Sequence, residues 1–248
     1  MSEYLPYIIF GFTTGAVYGI CAMGLVLTYK TSGVFNIGHG AVCATGAYAF
    51  YSLREELGWP WPIAALAILL VFGPIAGLIL ERLAVALAPV TTASKIVATV
   101  GLLVALQGLI TLIYGTNTRN FHTFLPQDEA FSISGTSVTI DQFCTFAIGA
   151  LAAAGLYAFF RFTRTGVAMR AVVDDPRLLD MTGESPARIR RQAWVIGSTF
   201  AAASGVLFAA TQTQLDVFIL SLLVVQAFGA ATIGRFQSLS MCFVGGIL

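Results

Sequence analysis

IVATVGLLVALQGLITLIYG, residues 96–115, holds no charged side chain. It is long enough to cross a bilayer as a helix, since the hydrocarbon core takes about 20 apolar residues at the helical rise. Comparable runs at 5–29, 34–53, 62–82, 142–160, 192–211, 218–234 and 239 to the end bring the number of apolar segments to about eight. Strands that cross membranes alternate apolar and polar residues in pieces of about ten, and these runs do not. The fold class predicted is therefore all-α: one polytopic transmembrane domain over residues 1–248, a helix bundle of about eight spans. The segment 34–53 is the weakest span and has a re-entrant alternative, which would invert the N-terminus.

Composition agrees. The 248 residues are 57% hydrophobic and 10% charged, against about 45–50% and about 25% in ordinary soluble domains. A net charge of +1 gives no nucleic-acid footprint, so the lipid bilayer is the expected surrounding and nucleic acid is not. The first ten residues, MSEYLPYIIF, lack the basic region and small-residue cleavage site of a signal peptide. Cys21, Cys43, Cys144 and Cys242 each stand alone in an apolar run, and the chain has two histidines. Neither a disulfide framework nor a metal centre follows from that spacing, and no cofactor is expected.

Basic residues set the orientation. Arg161, Arg164, Arg170, Arg177, Arg188, Arg190 and Arg191 lie in 161–191, more than half of the 13 cations. With that segment cytosolic and the sides alternating, Lys30, Arg82, Lys95 and Arg235 fall in the cytosol too. Only Arg54 and Arg119 remain outside, and the N-terminus is external. The loop 116–141 is then external, and its Phe121, Phe124, Leu125 and Phe131 predict a segment folded back on the outer face, with a short strand pair around Gly135.

Helices in lipid associate through close backbone approach rather than water expulsion. Gly11, Gly15 and Gly19 recur every four residues in the first span, and Gly73 and Gly77 repeat the spacing with Pro74 between them. These five are expected packing positions. The segment RFTRTGVAMRAVVDDPRLLDMTGESPARIRRQAW, 161–194, reads as an amphipathic unit outside the membrane. A short helix is expected from about Val167; Asp174, Asp175 and Pro176 read as a cap and first turn. Leu178, Leu179 and Met181 are expected on one side, and Gly183 as the stop. Either a topogenic basic loop or a docking element for a cytosolic partner accounts for it.

At this point the residues resemble a known family. VFNIGHGAVCATGAY (34–48), LERLAVALAPV with SKIVATVGLLVALQ, the block from Thr163 to Leu207, and VVQAFGAATIGRFQSL are similar, in order and spacing, to segments of bacterial branched-chain amino-acid ABC transporter permeases. The resemblance implies a permease subunit of the inner membrane that pairs with a second, similar permease. Two cytosolic ATPase subunits and an external substrate-binding protein would complete the importer. It assigns ATPase coupling to Arg170, Asp174, Asp175, Pro176, Leu179, Gly183 and Glu184. Two departures stand out. Gly234-Arg235-Phe236-Gln237-Ser238 occupies a turn that is glycine-rich in the family, and the family continues for one or two helices beyond Leu248, so the C-terminal end is expected to be truncated.

The chain has no phosphate-cradling GxxxxGK[ST] loop and no catalytic constellation, so it is not expected to be an enzyme. Uncharged polar side chains inside the spans are the candidates for a substrate path: Asn36, His39, Gln107, Thr211, Gln212 and Gln226. The substrate class expected is branched-chain or related amino acids. A urea or short-chain amide permease and an ATP-independent facilitator are the alternatives.

Overall fold

The computed structural model describes residues 4–133 and 136–248. Five helices are long and apolar enough to cross a membrane. They are α1 (Leu5–Ser32), the continuous rod made by α3 (Trp61–Ala67) and α4 (Gly73–Ala86), α5 (Thr92–Tyr114), α6 (Ile140–Phe162) and α9 (Pro186–Ala210). The other three expected spans are shorter. Helix in 34–53 opens only at His39, as α2 (His39–Tyr51), prolonged by a π-helical turn over Ser52–Glu56. The run 218–234 is broken at Leu222 into α10 (Val217–Ser221) and α11 (Leu223–Ile233), and α12 occupies Leu239–Ile247. Hydropathy measures apolarity, which a half-length helix buried in protein satisfies as well as a full crossing. Two short helices outside the apolar runs, α7 (Arg164–Asp174) and α8 (Pro176–Met181), join α6 to α9.

Local chemistry explains the breaks. Gly33 ends α1 in the left-handed region, φ 66°, with its amide on Tyr29 O at 2.7 Å, a conformation that suits glycine. Pro74 has no amide to offer Leu70, and the rod widens to π geometry over Ile68–Phe72 just before it.

Helix α1 is the hub, packed by α6, α9, α11 and α12. A Cβ at Gly15 would stand 2.5 Å from Gly246 O, and one at Gly19 2.8 Å from the Phe243 ring, so these glycines admit α12. Gly73 and Gly77 admit α9 to α4: a Cβ there would lie 2.7 Å from Thr199 Cα and 2.6 Å from Val195 Cα. Gly11 departs from the expected pattern. A Cβ there would meet nothing within 4 Å, so no helix closes on that position.

The cations separate to the two ends of the bundle. At one end Lys30 Nζ donates to Gln237 O at 2.8 Å, and Arg191 pairs with Glu81 at 3.6 Å. Glu81 is buried and its partner is Arg191 across the α4–α9 contact, not its chain neighbour Arg82, which is exposed. Arg54 and Arg119 lie at the other end, where the loop 116–141 is organised by two strand pairs. β1 (Arg119–Asn120) runs antiparallel to β4 (Gln214–Leu215), and β2 (Glu129–Ile133) to β3 (Thr136–Thr139). The turn expected at Gly135 lies outside the described residues.

Arg54 clamps this cap. Its guanidinium lies 5.8 Å and 5.6 Å from the ring centroids of Phe121 and Phe124, both buried, and donates to His122 O at 2.7 Å. Burial lowers the Arg54 pKa, and Glu55 beside it opposes the shift. Arg54→Ala is expected to lower stability by about 2 kcal/mol, from one charged hydrogen bond and the cation–π contacts together. Thermal unfolding in detergent checks this, with Arg54→Lys expected to lose less; an unchanged melting point for the alanine variant would count against the clamp.

Candidate functional site

The end that carries Arg54 and Arg119 holds a polar cavity of about 360 Å³ between the start of α1, the start of α6 and the end of α9. Thr13, Gln127, Asp141, Gln142 and Thr211 supply its polar lining and Phe10 an apolar edge. The first turn of α6 is built from the loop. Ile140 N and Asp141 N donate to Asp128 O and Pro126 O at 2.9 and 3.1 Å, and Gln142 Oε1 accepts from Thr139 N at 3.3 Å. Asp141 lines the cavity, and its buried Oδ1 has no hydrogen-bond partner among the described residues. The volume fits a small organic solute, and a lone carboxylate among hydroxyls and amides suits an ammonium group. Sequence reading passed over Asp141; the available signal was a single acid in the first turn of an apolar helix, just after Thr139.

The six expected path residues do not converge. Thr211 lines this cavity and accepts from Gln212 Nε2 at 3.1 Å. His39 and Asn36 are each 1% exposed and belong to the protein interior. His39 sits where α1 meets α9: a Cβ on Gly24 would come within 3.3 Å of His39 Cε1 and 2.6 Å of Gly197 O. Asn36 lies beside Gly38 and Leu102. His39 Nε2, Ser198 Oγ and both amide atoms of Asn36 are buried without partners among the described residues. Gln107 is half-buried on α5, and Gln226 is exposed on α11.

At the opposite end, α7 and α8 are capped by side chains. Thr163 Oγ1 accepts from Gly166 N at 3.0 Å, and Asp175 Oδ1 from Arg177 N and Leu178 N at 2.8 and 3.2 Å. Pro176 occupies the first helical position, and Gly183 stops α8 with φ 86°. A separate apolar cluster of Leu27, Ala168, Met169, Val172, Leu179, Ile189 and Ala193 roots both helices on α1 and α9. Leu178, Leu179 and Met181 do not share a side, because one residue turns a helix by about 100°. Leu179 is buried at 6%, while Leu178 and Met181 are 62% and 84% exposed. Arg170, Asp174, Gly183 and Glu184 are exposed beside them.

The turn between α11 and α12 has two non-glycine residues in the left-handed region, Arg235 at φ 54° and Phe236 at φ 53°. This conformation is costly for L side chains. The Phe236 ring holds it, packing within 5.7 Å of the Tyr29 and Phe35 ring centroids, while Phe35 stacks on Phe228 at 4.5 Å.

Long apolar helices packed through glycines, with cations at their two ends, define a multi-pass helical membrane protein. Residues 7–248 match the family model described as branched-chain amino acid transport system / permease component, and the chain belongs to that family. It is 27% identical to the high-affinity branched-chain amino acid transport system permease protein LivH of Escherichia coli K12, over 99% of this chain and 83% of that protein. The corresponding protein BraD of Pseudomonas aeruginosa is 27% identical, over 99% and 84%. A probable LivH of Methanocaldococcus jannaschii is 26% identical, over 92% and 73%. No solved structure matches.

Proposed function

We propose that the chain is the membrane-spanning permease subunit of an ATP-driven ABC importer for branched-chain or related amino acids, one permease domain in the bacterial inner membrane. The observation that carries the reading is family membership over residues 7–248. The exposed, capped α7–α8 unit at the arginine-rich end supports it. In this reading 161–191 is cytosolic and couples to two ATPase subunits through Arg170, Asp174, Asp175, Pro176, Gly183 and Glu184, with Leu179 rooting the segment on the bundle. A second permease subunit completes the path. The N-terminus and the cap formed by 116–141 face outward, towards a substrate-binding protein. The short α2, α10–α11 and α12 bring the number of membrane segments to about eight. Hydrolysis of ATP belongs to the partner subunits.

The outer cavity is the receiving site. The α-ammonium of the substrate pairs with Asp141, and Thr211 with Gln212 meets its carboxylate end. His39 and Asn36 act in the wall, between helices that shift as the path opens.

The test is uptake of radiolabelled leucine by proteoliposomes holding the complete complex. Uptake is expected to require ATP inside and the binding protein outside. Asp141→Asn is expected to raise the half-saturating concentration about tenfold or more, the value of one charge-assisted hydrogen bond. ATP-independent flux through this chain alone would replace the importer by a facilitator, and urea uptake without leucine uptake would replace the substrate class. Wild-type kinetics for Asp141→Asn would remove Asp141 from the receiving site.

A further inference from the structure

At the arginine-rich end, a cavity of about 230 Å³ lies between the end of α1, the end of α6, α7 and the start of α12. Lys30, Arg161 and Arg170 all line it, and no aspartate or glutamate does. None of the three forms an ion pair among the described residues. Lys30 Nζ donates to the Gln237 carbonyl, and Arg161 Nη1 to Tyr157 Oη at 3.1 Å. These neutral acceptors orient the cations without cancelling their charge. Ser240 adds a hydroxyl, while Leu27 and Phe160 make an apolar floor beneath the charges.

Three cations without an ion-pair partner around one concavity favour an anion there, because each gains by a shared counter-charge. The surroundings specify which anion. The cavity lies where apolar helices end, and α6 leads away from it into its apolar span with Leu151 and Ile148 exposed at 72% and 40%. A soluble phosphate would use the cations and leave the apolar floor and the α6 face wet. A lipid uses both, with its headgroup among the cations and its acyl chains along α6. Basic pockets between transmembrane helices are suited to such headgroups.

We propose that this cavity binds the phosphodiester headgroup of an anionic glycerophospholipid, seated between α1, α6, α7 and α12. A zwitterionic choline headgroup is disfavoured because it would bring a fourth cation into the cluster. The lipid bridges α1 of the bundle to α7 of the capped segment. The inference needs only that the chain is embedded in a membrane, so it stands or falls separately from substrate and ATP dependence.

The experiment uses the full chain in phosphatidylcholine nanodiscs containing a minor fraction of phosphatidylglycerol. Lipid co-purifying after detergent extraction is counted by mass spectrometry. Phosphatidylglycerol is expected to be enriched over its bulk fraction. Lys30→Gln, Arg161→Gln and Arg170→Gln are each expected to reduce that enrichment about fivefold. Arg177→Gln and Arg188→Gln, exposed cations outside the cavity, are expected to leave it unchanged. Equal loss in all five variants overturns the site in favour of diffuse surface charge, and no enrichment in the unmutated chain overturns it outright. Displacement of the lipid by millimolar glycerol phosphate or inorganic phosphate assigns the cavity to a free phosphate and overturns the lipid source. Should the variants fold poorly, the unmutated chain decides. Short-chain phosphatidylglycerol is expected to raise its melting temperature, and short-chain phosphatidylcholine is not. Equal shifts with both lipids overturn the proposal.

Discussion

Gly77→Leu is expected to abolish the folded chain, while Gly108→Leu, also a glycine inside an apolar helix, is expected to leave it standing. A Cβ at Gly77 would lie 2.6 Å from Val195 Cα and 2.7 Å from Trp194 O. These are backbone atoms of α9, with no flexible side-chain end to swing aside. Relief requires moving α4 off α9, which also separates Glu81 from Arg191 and leaves a buried carboxylate without its cation. Overpacking ordinarily costs about 1–3 kcal/mol, and stranding a buried charge about 3–5 kcal/mol more, enough together to unfold a marginally stable chain. A Cβ at Gly108 would meet nothing within 4 Å. Fluorescence-detected size exclusion of both variants checks the contrast. Equal yields, in either direction, would show that the α4–α9 approach is not what holds the bundle.

The second large effect is expected at the exposed tip of the capped segment. Leu178→Asp with Met181→Asp is expected to leave the melting temperature of the chain unchanged and to lower co-purification of the ATPase subunits at least thirtyfold. Both side chains point away from the protein, so their loss removes no intramolecular packing. A pair of apolar anchors at the centre of an interface is worth about 2 kcal/mol or more each. Leu179→Asp should differ in kind: it buries a charge in the cluster with Met169 and Ile189 and is expected to loosen the segment from the bundle first. Full ATPase recovery with the double variant would place the docking surface elsewhere.

What the sequence disclosed follows from which forces act locally. The uncharged run 96–115 lies almost wholly within α5, and the Asp175 cap with Pro176 opens α8 at the expected place, since caps depend on a few adjacent residues. The weakness of 34–53 as a span was legible, whereas the break at Leu222 was not, because a helix enclosed by other helices is as apolar as one enclosed by lipid. Nor was the Arg191 partner of Glu81: the charge beside it in the chain, Arg82, is the wrong one, and only the crossing of α4 and α9 selects the right one. Leu179 was misplaced with Leu178 and Met181 because composition marks three apolar residues without saying which of them meets the bundle. Asp141 became visible only in the cavity it lines, where its buried Oδ1 lacks a partner among the described residues.

The central position of α1 has a consequence for how the chain is made. Its Gly15–Gly19 face is closed by Phe243 and Gly246, and Lys30 reaches a carbonyl 207 residues further on. The glycine face of α1 therefore stays uncovered until residues more than 200 positions further along the chain have been made. Until then its glycine face is open to whatever apolar helix arrives first, and α6 or α9 can only hold it along other flanks. The order of synthesis therefore bears on the assembly of this bundle. A pause in elongation before α12 would leave the hub unlatched, and nascent chains arrested there are where premature pairing with another copy, or capture by membrane quality control, is to be sought.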